Sequence, residues 1–132
     1  MQERDRQRAR VDEIIAERFS SSSMSDAKWV RLLDALTAHE GLVQECRAKL
    51  VWDDEIRDLA IDEKEFQFDY WPHAMEAMIS GRPRGWYEYR ELEWIRFPSG
   101  SQDLAKIRAT LDARGRFDLE RSEDGLTLYA YR

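Results

Sequence analysis

The segment from Trp86 to Phe97 is rich in aromatic and branched side chains, and Pro98, which has no N–H to give to a ladder, closes it. It follows Gly81-Arg82-Pro83-Arg84-Gly85, a run that only a loop accommodates. The two together predict a long strand at the centre of a sheet. Its parity slips along the way. Trp86, Leu92 and Trp94 fall on one face, whereas Tyr87, Tyr89, Ile95 and Phe97 fall on the other. A bulge, or burial on both faces, accounts for such a slip.

The remaining elements are read around this strand. Residues 1–19 alternate acids and bases, with Val11, Ile14, Ile15 and Phe19 at near-helical spacing, which predicts a charged helix with a thin apolar stripe. Ser20 to Ser23 break it. Ser25 then has the chemistry of an N-cap, Trp29, Leu32, Leu33 and Leu36 line one helical face, and Gly41 supplies a stop. Cys46, Ala48, Leu50 and Trp52 alternate with Glu45, Arg47, Lys49 and Val51, predicting a strand with one face mostly polar; a helix over 42–50 is the second reading. Phe66, Phe68 and Tyr70 alternate with Glu65, Gln67 and Asp69, another half-buried strand, which Pro72 ends. A short helix is expected over 74–80.

Beyond Pro98, Ser99 to Gln102 matches a capping box, Leu104, Ile107 and Leu111 form a helix stripe, and Gly115 stands where a C′ glycine belongs. Phe117 and Leu119, then Leu126 to Tyr131 across Asp124-Gly125, predict a terminal β-hairpin with a four-residue turn. Strands outnumber crossover helices. The fold class is therefore α+β, a mainly antiparallel sheet packed against two or three helices with an N-terminal helical arm. Residues 1–23 form the arm and its Ser-rich linker, and 24–132 a single α+β domain. Three roles for the arm stay open at this point: packing on the body, homodimer pairing through residues 1–19, or derivation from an early start codon at Met1 with Met24 as the true beginning.

A chain of 132 residues with 42% hydrophobic and 36% charged side chains fits one well-solvated domain. No apolar run approaches the roughly 18 residues of a membrane-spanning helix. Glu3 to Arg10 is charged and lacks the apolar core of a secretory signal. Cys46 is the only cysteine and has no disulfide partner in the chain, so the expected compartment is the reducing cytoplasm. A pI near 5.0 disfavours nucleic acid as the main partner, because phosphate backbones demand clustered Lys and Arg.

The charge is concentrated. Asp53, Asp54, Glu55, Asp58, Asp62, Glu63, Glu65 and Asp69 are opposed only by Arg57 and Lys64, which leaves this stretch with the same −6 that the whole chain carries. It runs directly into Tyr70 and Trp71. One reading is a solvated loop beside core aromatics. The other is an acidic recognition face with Tyr70 or Trp71 as a buried anchor, because interfaces favour Trp and Tyr and complementary charge raises association rates.

No motif for catalysis accompanies it. A nucleophilic pair of Cys46 and His73 oriented by Asp69 is not favoured by the spacing, and Cys46 falls on the apolar face of its strand. Asp53, Asp54, Glu55 and Asp58 lack the turn glycine and alternating ligands of an EF-hand, and two histidines with one cysteine are too few for a zinc centre. Glu88, Glu91 and Glu93 read as a polar row bordering the sheet, with acid–base work by a carboxylate pair as the alternative. Gly81-Arg82-Pro83 resembles the core of a minor-groove hook without its flanking basic residues, and turn chemistry explains it better. No cofactor and no metal is expected.

Met24-Ser25, Lys28-Trp29, Leu32-Leu33, the run Glu93-Trp94-Ile95-Arg96-Phe97-Pro98, and the ending Gly125-Leu126-Thr127-Leu128-Tyr129-Ala130-Tyr131 together resemble a small family of uncharacterised bacterial proteins. The resemblance covers 24–132 and leaves the arm outside. Some proteins similar to these belong to loci for interbacterial toxins, which implies an immunity role and carries over no catalytic residues. The expectation is a non-enzymatic cytoplasmic binding protein that neutralises a basic partner, such as a nuclease-type toxin domain. It would use the eight acids with Tyr70 and Trp71. A small enzyme or ligand-binding domain with a pocket near Trp86, Tyr89 or Trp94 is the rival, and a structural homodimer the third.

Overall fold

A computed structural model describes residues 3–39, 41–61, 74–76 and 86–132. Helix α1 spans Glu3–Arg18 and α2 spans Asp26–Thr37. Strands β1 (Arg47–Leu50), β2 (Ile56–Asp58), β3 (Ala74–Glu76) and β4 (Trp86–Glu88) follow. A 3₁₀ turn at Tyr89–Glu91 leads into β5 (Leu92–Pro98), then α3 (Leu104–Asp112), β6 (Leu119–Ser122) and β7 (Gly125–Tyr129). Among the described residues the main sheet has the order β2-β1-β5-β7-β6, every pair antiparallel, while β3 and β4 pair separately. The fold is α+β, as the pattern predicts.

Strand β5 occupies the centre of the sheet, and the parity slip has two causes. The 3₁₀ turn interrupts the segment after Glu88, so the predicted long strand is two strands. The β1–β5 register then shifts between Lys49 and Leu50, which face Trp94 and Leu92. Glu93 is the extra residue, and its insertion puts Leu92 and Ile95 on the same buried side.

One face of the sheet carries the core. Trp29, Leu32, Leu33 and Leu36 of α2 and Leu104, Ile107 and Leu111 of α3 pack against Ala48, Leu50, Ile95, Phe97, Leu126 and Leu128. Each fully buried large apolar side chain in this set stabilises the fold by roughly 1.5–3 kcal/mol relative to exposure. Ser25 caps α2 by accepting from the Lys28 N–H, as its sequence position predicts.

Four local expectations are corrected. Asp103, not the Ser99–Gln102 box, caps α3, by accepting from the Lys106 N–H. Gln102 instead reaches across to the backbone, with its oxygen accepting from Gln44 N and its amide donating to the carbonyls of Glu45 and Pro98. Helix α3 ends at Ala113 in right-handed conformation, so Gly115 is not a left-handed stop. The hairpin turn holds two residues, because Ser122 pairs directly with Gly125. Residues 74–76 form a strand rather than the start of a helix. The predicted strand around Phe66, Phe68 and Tyr70 and the 81–85 loop lie outside the described residues.

Helix α1 packs on its own body. Val11 is buried, Arg8 pairs with Glu88 at 3.0 Å, Asp12 pairs with Arg90, and Arg18 donates to the Val51 carbonyl at 2.9 Å. The serine linker runs beside the C-terminus: Ser20 and Ser21 donate to the Arg132 carbonyl, Ser23 donates to Ala130, and Phe19 stacks on Tyr131 at 5.4 Å.

Candidate interaction surface

The acidic stretch begins in the turn after β1 and continues through β2. Of its eight acids, Asp53, Asp54, Glu55 and Asp58 are described. Asp62, Glu63, Glu65 and Asp69, with the proposed anchors Tyr70 and Trp71, lie outside the described residues.

Arg57 organises the described four. Its partner across β1 is Ala48, so its side chain enters the core face, where the side chain is 0% exposed. Burying a guanidinium without counter-charge is costly, and two carboxylates supply it. Asp53 Oδ2 lies 2.5 Å from Nη2 and Glu55 Oε2 lies 3.1 Å from the same nitrogen. The guanidinium also stands 5.2 Å from the centre of the Trp52 ring, a cation–π contact. Asp53 additionally accepts from the Glu55 N–H, which closes the turn.

These ties decide which groups project. Asp54 is 99% exposed, and among the described residues its one ion pair is a long contact of 3.9 Å to Lys49. Ile56 is 58% exposed, a large apolar side chain at the surface between Glu55 and Asp58. Asp58 reaches Arg47 on the neighbouring strand at 3.1 Å. The quartet is therefore not a uniform field. Asp53 and Glu55 neutralise a buried base, Asp58 leans on Arg47, and Asp54 beside Ile56 forms the outward tip.

Behind the tip, Trp52 Nε1 donates to Glu91 Oε1 at 3.1 Å, and Glu91 Oε2 accepts from the Glu88 N–H at 2.6 Å. Burial pushes the Glu91 carboxyl above the usual glutamate range, and those two donors pull it partly back. Burial likewise raises the Tyr87 phenol. The Arg57 guanidinium opposes that rise, and Glu91, Asp53 and Glu55 add to it. The Tyr87 hydroxyl has no hydrogen-bond partner among the described residues.

The other candidate chemistry disperses. Cys46 is buried, and burial drives its thiol far above the ordinary range; His73 lies outside the described residues. Glu88 binds Arg8 and Arg90, and Glu93 binds Lys49 at 2.8 Å, while, after burial, the Glu88 charge also helps to raise the Glu91 carboxyl. Tyr89 stacks on Trp29 in the core, and Trp94 faces the opposite side of the sheet beside Tyr129, so the two do not line one pocket. Among the described residues no group of three or more His, Cys, Asp or Glu side chains is placed to hold a metal ion. None of the described helices is long and apolar enough to cross a membrane.

Sequence reasoning treated Arg57 only as a charge. Its signal lay in parity: Arg57 and Leu59 alternate with Ile56 and Asp58, and both Arg57 and Leu59 are buried.

A family model matches residues 11–111, which takes in the whole candidate surface and the second half of α1. The chain belongs to a family of unknown function, DUF6678. The family match begins inside α1, upstream of the Met24 from which the sequence resemblance was drawn. No curated protein and no solved structure matches the chain.

Proposed function

We propose that this protein is a non-enzymatic binding protein of the cytoplasm that engages a basic protein partner, and that it serves as an immunity protein against a basic toxin domain. The observation that carries this reading is the projecting pair Asp54 and Ile56, held on a turn whose neighbouring acids are tied to buried Arg57. A turn fixed in this way loses little conformational freedom on binding, which favours affinity. Ile56 offers an apolar anchor and Asp54 a fully exposed negative charge beside it. A nuclease must present positive charge to its substrate, so an acidic face with an apolar anchor fits the surface that such a toxin cannot hide. The further acids at Asp62, Glu63, Glu65 and Asp69 and the aromatics Tyr70 and Trp71 belong to the same proposed face by sequence.

The test compares three baits, the wild-type chain, Asp54→Lys and Ile56→Asp, against a lysate of the source cells at low and high salt. Neither substitution touches the core, so folding is expected to survive both. The expected result is one basic protein held by the wild type at low salt, released at high salt, and lost from both variants. Retention of the same partner by both variants would remove this surface from the interface.

A further inference from the structure

The face of the sheet opposite the core carries a row of side chains that run across all five strands at one level. From β2 to β6 the registered residues are Asp58, Arg47, Arg96, Thr127 and Glu120. Arg47 and Arg96 are therefore direct cross-strand neighbours on one face. Like charges so placed have Cβ atoms about 5 Å apart and destabilise the pair.

Their contacts lead in opposite directions. Arg47 Nη1 reaches Asp58 at 3.1 Å, with Glu45 at 4.0 Å. Arg96 leans the other way: Nε donates to Thr127 Oγ1 at 2.9 Å, and the guanidinium lies 4.4 Å from the centre of the Trp94 ring. Among the described residues no carboxylate lies within ion-pair distance of Arg96, although its neighbours on this face have one: Arg47 with Asp58 and Lys49 with Glu93. The Trp94 contact and the Thr127 bond fix the plane and one edge of the guanidinium, and its terminal nitrogens have no hydrogen-bond partner among the described residues. A planar, oriented fork is the group that recognises an oxyanion in bidentate fashion.

We infer that Arg96 forms a binding point for a single oxyanion, a phosphate or carboxylate group, on the outer face of the sheet, with Arg47 across the strand adding only to the local positive field. The anion would offset the cross-strand repulsion and fill the coordination that no described side chain fills. Trp94 and Thr127 act as positioning residues for Arg96. This site is independent of the proposed acidic tip and calls for the opposite charge in its ligand.

The full chain labelled with ¹⁵N tests it by NMR titration with inorganic phosphate and, separately, with acetate, each against sodium chloride at matched ionic strength. The expected result is saturable movement of the Arg96 Nε–H and Trp94 Nε1–H signals with phosphate, acetate or both, which tells the two sources apart. Arg96→Gln should abolish saturation with an otherwise unchanged amide spectrum, and Arg96→Lys, which keeps the charge and loses the fork, should weaken binding by about tenfold. Chloride reproducing the same shifts, or Arg96→Gln leaving the Trp94 response intact, overturns the inference.

Discussion

Asp53 and Arg57 form an ion pair that runs from the surface into the core: the carboxylate oxygen lies 2.5 Å from a guanidinium with 0% exposure. The most acidic part of the chain is thus organised around a base. Glu55 completes the charge balance from the other side of the turn, and Trp52 covers the guanidinium face.

That arrangement predicts an asymmetry between adjacent acids. Removing a partner from a buried ion pair costs about 3–5 kcal/mol, and the quarter exposure of Asp53 together with the remaining Glu55 reduces the expected loss for Asp53→Ala to about 2 kcal/mol. Asp54→Ala should leave stability where it was. Urea unfolding of the two variants reads the difference directly, and equal midpoints would show that Arg57 does not depend on Asp53.

Much of the frame was legible because its periodicities are strong. The α2 stripe at Trp29, Leu32, Leu33 and Leu36, its Ser25 cap, the β1 alternation and the α+β class follow from spacing alone. Errors cluster where local chemistry offers two satisfactory solutions. Ser99 and Asp103 are both good caps, and Gln102 was needed to tie the 44–45 backbone to β5, which left Asp103 at the helix start. The surface was less legible, since acids read from sequence carry the same charge whether they project or neutralise a neighbour. Nothing in the run Asp53-Asp54-Glu55 alone says that its outer members face inward to Arg57 while the middle one faces water.

Gly125 opens β7 at φ +150°, a region that side-chain-bearing residues rarely adopt. A Cβ there would overlap the Phe97 carbonyl oxygen and crowd Pro98, the residues where β5 and β7 pair. Strain and backbone displacement together should make Gly125→Ala cost about 3 kcal/mol. Thermal unfolding measures it, with Gly100→Ala as the control: that glycine also has positive φ but meets nothing within 4 Å. The Gly125 variant should melt well below the Gly100 variant.

Cys46 is enclosed by the core, and its thiol is held protonated by burial, with Arg47 only partly opposing. Thiolate is the reactive form, so the native protein should resist a water-soluble disulfide reagent at neutral pH and yield one equivalent in urea. Cys46→Ser places a hydroxyl in the same apolar site and should destabilise by about 1–3 kcal/mol. Rapid labelling of the folded chain would place the thiol at the surface instead.

Glu91 gives the fold a pH dependence with a definite sign. Burial raises its pKa in the folded state above that in the unfolded chain, so the folded protein binds this proton more tightly. Its contribution to stability is full below the unfolded glutamate pKa and is lost as pH rises through the folded one. Glu91→Gln removes the titration. The glutamine oxygen still accepts from one of the two donors, Trp52 Nε1 or Glu88 N, so a hydrogen bond is lost at every pH, about 1 kcal/mol, without a slope. The difference in urea midpoint between wild type and variant, followed from pH 4 to pH 7, should therefore shrink as pH rises. A constant difference across that range would mean that Glu91 titrates alike in the folded and unfolded chains, and that its contacts with Trp52 and Glu88 offset its burial in full.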